Sequence, residues 1–317
     1  MAGYAVSPAC LSRSASVAMP PPTPMDEYMF DLRGYVVLPS VLSAAELGEI
    51  NSYIDGLQPV QPHGQWHGNV EVHSYYADKG GGYSAGDAAS RPIDDGYNLQ
   101  HIYEAGPVFE SLIDHPNWID RVRFFMGRGE PFMHELFINV RGKGGYIGVH
   151  SGGPRFDGRG WGVSAGEKGE KEWSVGYLSM IIALEDIGPG DGATVLVEGS
   201  HKSMIPHPVQ RQMQTEGSLV EGAREVHLKA GDCLFFNDSL CHGAAARLNE
   251  GQRRILCFRY LPRQTGSNRW GYLPSPELME RLTPTQRQIL TELDYTPTAR
   301  SHVPPSRLMS RRTTAAL

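Results

Sequence analysis

From His134 onward the chain is written as short β-branched or aromatic runs, "HELFINV", "YIGVH", "VGYLSMIIALEDI", "GATVLVEGS", "REVHLKAGDCLFFN" and "RRILCFRYLP", each cut off by Gly, Pro, Asn or Asp. Runs this short cannot bury themselves. They must pair and close on one another, with the turn residues setting the corners. Many short strands with Gly-rich turns, preceded by helical segments, predict a mainly β fold with flanking helices: a jelly-roll, cupin-like barrel. No Gly-x-Gly-x-x-Gly follows a strand and opens a helix, and no internal repeat is visible, so a dinucleotide fold and a repeat array are unsupported.

The first half is helical in texture. Tyr35 to Leu38 reads as a strand, and Ser43 with Glu46 forms a capping box. Behind it Leu47, Ile50, Ile54 and Leu57 recur at the spacing of one helix face. Residues 58–97 lack periodicity and predict a loop region covering a site, its His63, His67 and His73 read as surface or lid histidines. "GPVFESLIDHPNWIDRVRFFMG" predicts a second helix ending at Gly127, and "SPELMERLTPTQRQILTEL" one or two short helices after the barrel. The organisation expected is an unfolded leader over 1–24, a domain over 25–275 with lid loops at 58–97 and 154–173, and helices with an unfolded basic tail over 276–317.

Charge and cysteine usage narrow the class. A formal net charge of −6 supplies no general attraction for phosphates, so nucleic acid is not an expected partner. No apolar run approaches the ~18 residues of a membrane span. The four cysteines, Cys10, Cys233, Cys241 and Cys257, form no C-x-x-C pair, and the last three sit in apolar runs as small core residues. Reduced thiols point to an intracellular, cytoplasmic protein. The acid-poor leader shares that feature with organelle transit peptides, but its single Arg favours a flexible tail. Nothing in the sequence sets the oligomeric state.

Two histidines end strand-like runs: His150 closes "YIGVH", and His242 lies in "FFNDSLCHG". At the mouth of a barrel they could meet. Two neutral imidazoles with one carboxylate make the facial arrangement of non-haem Fe(II) oxygenases, which leaves positions open for cosubstrate and dioxygen. Arg253, eleven residues after His242, opens the next strand, where a guanidinium could grip a carboxylate through two hydrogen bonds. Its neighbour Arg254 is the alternative, since alternation lets only one of the two face inward.

These residues resemble the phytanoyl-CoA dioxygenase family of Fe(II)- and 2-oxoglutarate-dependent oxygenases. The resemblance runs from about Tyr28 to Pro262 and is carried by "DLRGYVVLPSVLSAAEL", "LFIN", the histidine turn, "EGSHKS" and "AGDCLFF" followed by "HG" and "RR". It implies a double-stranded β-helix, Fe(II) held by His150 and His242, and Arg253 as the salt-bridge partner of 2-oxoglutarate. It also implies Asn139 as a 2-oxoglutarate neighbour, dioxygen as cosubstrate, and hydroxylation of a small organic molecule. His201, in "GSHKS", is read as structural.

The departure is "VHSGGPRF". The family pattern is His-x-Asp, and here the third position is Gly152. One account supplies another acid: Asp157, seven residues on, is the candidate metal ligand, while Asp186, Asp191 and Asp238 sit beside other strand ends. A second leaves the Gly152 position open for chloride, as in halogenases of this chemistry. A third is a non-catalytic ligand-binding barrel. Ser151, Trp161 and Trp173 are assigned to the substrate-facing lid of the Gly-rich insertion.

Overall fold

The computed structural model describes residues 19–57, 66–74, 96–127, 130–150, 161–165, 171–203, 205, 207–208, 219–264 and 272–293. Helix α1 (Pro24–Arg33) starts at a Thr23–Asp26 capping box with Pro24 as its first residue, and leads through Gly34 into β1 (Tyr35–Leu38). The predicted box at Ser43 and Glu46 caps α2 (Ala44–Gly56), which buries Ile50 and Ile54. There follow β2 (Trp66–His67), β3 (Val70–Ser74) and β4 (Tyr97–Gln100), then α3 (Pro107–Ser111) and α4 (Ile119–Met126).

The β half comprises β5 (Pro131–Arg141), β6 (Ile147–His150), β7 (Trp161–Ala165), β8 (Lys171–Val175), β9 (Leu178–Ala183) and β10 (Thr194–Val197). It continues with β11 (Ala223–Val226), β12 (Cys233–Asn237), β13 (Cys241–Ala244) and β14 (Arg253–Pro262), and α5 (Pro276–Arg281) and α6 (Pro284–Leu290) close the described chain. An eight-stranded sheet runs β1-β12-β9-β14-β5-β4-β3-β2, a four-stranded sheet runs β11-β10-β13-β6, and β7 pairs with β8. Every named pairing is antiparallel, as a jelly roll requires.

Period-two alternation gives the large sheet two different faces. One face carries Val36, Phe235, Met180, Leu256, Phe258, Ile138, Leu99 and Val72, and packs on the helices around Phe30, Ile50, Trp118 and Phe125. The other carries Tyr35, Phe236, Leu234, Ile255, Cys257 and Phe137, and meets Leu196 and Val226 of the small sheet. At about 1.5–3 kcal/mol per fully buried large side chain, the outer cluster is the main source of stability, which leaves the inner face room for polar groups.

Four expectations change. Residues 66–74 are strands of the large sheet, not a loop: β3 pairs with β4 and β4 with β5. With only Val70 and Val72 alternating, that edge is too short to show a period in sequence. The second helix is two, because His115 precedes Pro116 and is forced to an extended ψ of 132°. The insertion after His150 contains the β7–β8 hairpin, and Trp173 on β8 is a core residue: its buried indole lies edge-on to Phe30 and Phe125, with ring centroids 5.6 and 4.9 Å away. A Cβ at Gly127 would overlap the Trp173 carbonyl, so α4 and β8 meet through a glycine. Finally, Leu278, Leu282, Ile289 and Leu290 join the outer core, so α5 and α6 belong to the same domain as the sheet.

His201 is fully buried behind α1, its Nε2 bonded to the Asp31 carbonyl at 3.1 Å. Burial pushes its imidazole down to about 4, despite the opposing effect of that carbonyl. The unfolded chain takes up this proton near pH 6.5 and the native chain only near 4, so native stability is complete above about pH 6.5 and falls as pH drops through that window. Urea titrations from pH 7 to 4 are expected to show wild type losing roughly 3 kcal/mol more than His201→Gln; parallel pH profiles would refute the assignment.

Candidate functional site

His242 and His150 face each other directly across the β13–β6 pairing, with ring centroids 4.3 Å apart. Both project from the inner face of the small sheet, where Leu196 is the next residue in register and Phe236 lies edge-on to His242 at 5.1 Å. Gly243 makes this possible. A Cβ there would stand 2.6 Å from the Ile147 carbonyl oxygen and 3.1 Å from the Val149 Cα, so only glycine lets β6 come this close.

The two imidazoles are oriented alike. His150 Nδ1 donates to the Gly148 carbonyl at 3.0 Å, and His242 Nδ1 donates to the Leu240 carbonyl at 2.7 Å. With Nδ1 donating to a carbonyl in each ring, Nε2 is the nitrogen left for a metal. Burial, with the neighbouring His242 adding to it, pushes His150 down to about 3, so it stays neutral and available to a cation at any ordinary pH.

Arg253 sits on the inner face and is buried, whereas Arg254 points the other way to Asp55 at 2.6 Å and to Asn51. The choice between them is settled by the β14 register. Arg253 donates to the Gly192 carbonyl at 2.5 Å and to Asn139 Oδ1 at 2.8 Å, and Asn139 in turn donates to Asn98 Oδ1 at 2.8 Å. The Asn139 amide therefore bonds the arginine on one side and Asn98 on the other. Arg141, fully buried, lies directly opposite Arg253 in the β5–β14 ladder. It was not foreseen, although its position two residues after Asn139 in "FINVR" puts it on the same face.

The other end of that ladder is differently charged. Arg259 pairs with Glu135 at 2.9 Å and feels Asp238, and its own charge reaches His150. Asp238 follows β12 in the turn that leads to His242. Its carboxylate accepts from Ser179 Oγ at 2.7 Å and stands 3.9 Å from His242 Nε2. Asp186, by contrast, is exposed on Lys229, and Asp191 is taken by Arg247 and Asn249. Burial pushes Cys257 up to about 12 and Cys241 to about 11, so neither thiol is a nucleophile or ready ligand.

Ser151, Gly152 and Asp157 lie outside the described residues, as do the His63 and Cys10 positions, and for Trp161 only the strand backbone is described. Among the described residues no three His, Cys, Asp or Glu side chains already stand close enough to grip a metal without movement. The donor chemistry nonetheless fits one: two oriented imidazoles with a carboxylate beside them.

Residues 30–255 match the family described as Phytanoyl-CoA dioxygenase (PhyH). No curated protein matches the chain. Among solved structures, HygX from Streptomyces hygroscopicus with nickel, 2-oxoglutarate and hygromycin B bound is similar at 22% identity and a TM-score of 0.58, over 81% of this chain and 94% of that one. The same protein with nickel and 2-oxoglutarate gives 22% and 0.57 over 81% and 93%. SnoK, a non-heme alpha-ketoglutarate-dependent carbocyclase of nogalamycin biosynthesis, gives 18% and 0.52 over 83% and 92%. At these identities the likeness shows a shared fold.

The β6–β13 approach can be tested directly. Gly243→Ala is expected to spread the two strands and weaken Ni(II) binding at least tenfold in calorimetric titration, with a stability loss of about 1–3 kcal/mol from overpacking. Unchanged Ni(II) affinity would show that the pairing does not set the histidine geometry.

Proposed function

The chain belongs to the phytanoyl-CoA dioxygenase family, and we propose from its site that it is a non-haem Fe(II)- and 2-oxoglutarate-dependent oxygenase acting on a small organic molecule. The observation that carries the reading is the opposed His150–His242 pair, both Nδ1 atoms bonded to backbone carbonyls so that both Nε2 atoms are presented to one interior. Bound iron with 2-oxoglutarate supplies dioxygen activation, with succinate and carbon dioxide as co-products.

The chain's own residues do the positioning. His150 and His242 would hold the metal through Nε2. Arg253 would bind the distal carboxylate of 2-oxoglutarate, aimed by the Gly192 carbonyl and Asn139, with Arg141 adding a second positive charge at that end of the ladder. An arginine pair at one end and a metal at the other suit a dianion with separated carboxylates. Phe236, Phe137, Leu196 and Ile255 wall the interior with apolar surface, which excludes water from a reactive site. HygX has been captured with nickel, 2-oxoglutarate and hygromycin B, which supports a small-molecule substrate on this fold.

Anaerobic addition of Fe(II) and 2-oxoglutarate is expected to give the weak metal-to-ligand charge-transfer band of the chelated cosubstrate, lost in His150→Ala and His242→Ala. Arg253→Lys should keep iron but weaken 2-oxoglutarate binding by roughly 10- to 100-fold. No band in the wild-type protein would overturn the reading in favour of a non-catalytic barrel. Turnover products formed with and without chloride separate hydroxylation from halogenation.

A further inference from the structure

The sequence lacks the acid two residues after His150, yet the structure sets a buried acid beside the other histidine. Asp238 is only 4% exposed at its side chain, and its Oδ1 lies 3.9 Å from His242 Nε2, the nitrogen that the Leu240 carbonyl leaves for a metal. The turn between β12 and β13 creates this contact. Asn237 organises it, accepting the Ser239 N–H on its side-chain oxygen at 2.9 Å and the Leu240 N–H on its backbone oxygen at 2.9 Å. The Asp238 N–H is tied to the Tyr177 carbonyl at 3.0 Å. Carboxylate, imidazole and the carbonyl that orients the imidazole thus all come from one six-residue segment, "NDSLCH".

We propose that Asp238 supplies the carboxylate of the metal site, in place of the acid that Gly152 does not provide. This rests on the oxygenase reading above and names the third ligand within it. Two donors at right angles on a metal with bonds of about 2.1 Å stand roughly 3 Å apart, so the Asp238 oxygen must close by about 1 Å as a metal is taken. Its present partners fit that role. Ser179 Oγ bonds Oδ1, as a partner that steadies a ligating carboxylate does, and the Arg259 charge offsets the cost of burying the anion while no metal is bound. Glu135, another acid on the inward face among the described residues, is engaged by Arg259 at 2.9 Å.

The test uses the full chain with Ni(II) for affinity and Co(II) for its visible spectrum, alongside thermal melts. Asp238→Asn, which keeps shape and hydrogen bonding, is expected to weaken Ni(II) binding at least tenfold. Asp238→Ala should weaken it further and become responsive to added formate, which refills the position, raises affinity and shifts the Co(II) spectrum. Formate should raise Ni(II) affinity in Asp238→Ala far more than in wild type, whose carboxylate position is already filled. Ni(II) affinity of Asp238→Asn within twofold of wild type would overturn the proposal. So would a weakened Asp238→Ala whose Co(II) spectrum formate leaves untouched, since Asp238 would then act only through His242. If wild type takes up no Ni(II) at all, the oxygenase reading itself fails. If wild type gives the Fe(II)–2-oxoglutarate band and Asp238→Asn binds metal normally, only the ligand assignment falls.

Discussion

The ten-residue antiparallel ladder between β5 and β14 is the interaction on which the rest of the molecule depends. Each strand is long enough to present several residues to both sides of the sheet, and strict alternation then sorts them. Leu136, Ile138, Leu256 and Phe258 go outward to the helices, while Glu135, Asn139, Arg141, Arg253 and Arg259 go inward. A one-residue slip would exchange these sets, burying guanidiniums under the helices and stripping the interior of its charges. The outer cluster therefore fixes the register, and the register delivers the polar groups.

Those inward groups are arranged along an axis. Arg141 and Arg253 lie at one end of the ladder and the Glu135–Arg259 pair at the other, with Asp238 acting on Arg259 and Arg259 on His150. Hydrogen bonds offset part of the cost of burying this charge: Arg253 is held by a carbonyl and Asn139, Asn139 by Asn98, and Asp238 by Ser179. The small sheet contributes less chemistry but more geometry. Its β6–β13 contact, permitted by Gly243, turns two histidines far apart in sequence into one pair.

Much of this is legible in the chain because it obeys local rules. The Ser43–Glu46 capping box and the strand at Tyr35–Leu38 follow from spacing, and alternation shows that only one of Arg253 and Arg254 turns inward without saying which. The edge strands β2 to β4 do not, since two to five residues carry too little period to be distinguished from a loop. Trp173 in a Gly-rich insertion looks like a lid residue until the tertiary contact with α1 and α4 is known. Arg141 escapes, and Asp238 shows only as one of several acids beside strand ends. Arg141 sits in an ordinary strand and becomes notable only when its ladder partner is known to be Arg253. Asp238 sits in an ordinary turn, four residues before a histidine, and its significance lies in the side of the turn it occupies.

The location of the acid changes what a metal would do to the fold. A carboxylate two residues after His150 would keep all three ligands next to the small sheet. Asp238 instead follows β12, and its N–H and carboxylate are bonded to Tyr177 and Ser179 beside and on β9, both strands of the large sheet. A metal taken between Asp238 and the His150–His242 pair would therefore tie the two sheets together across the interior, adding to apolar contacts such as Leu196 and Phe236. Because such a site forms only when both sheets are in place, metal binding energy would feed into sandwich stability as well as chemistry. The cost is that the ligand set depends on sheet-to-sheet spacing, so any substitution that parts the sheets would loosen the metal before it unfolds the protein.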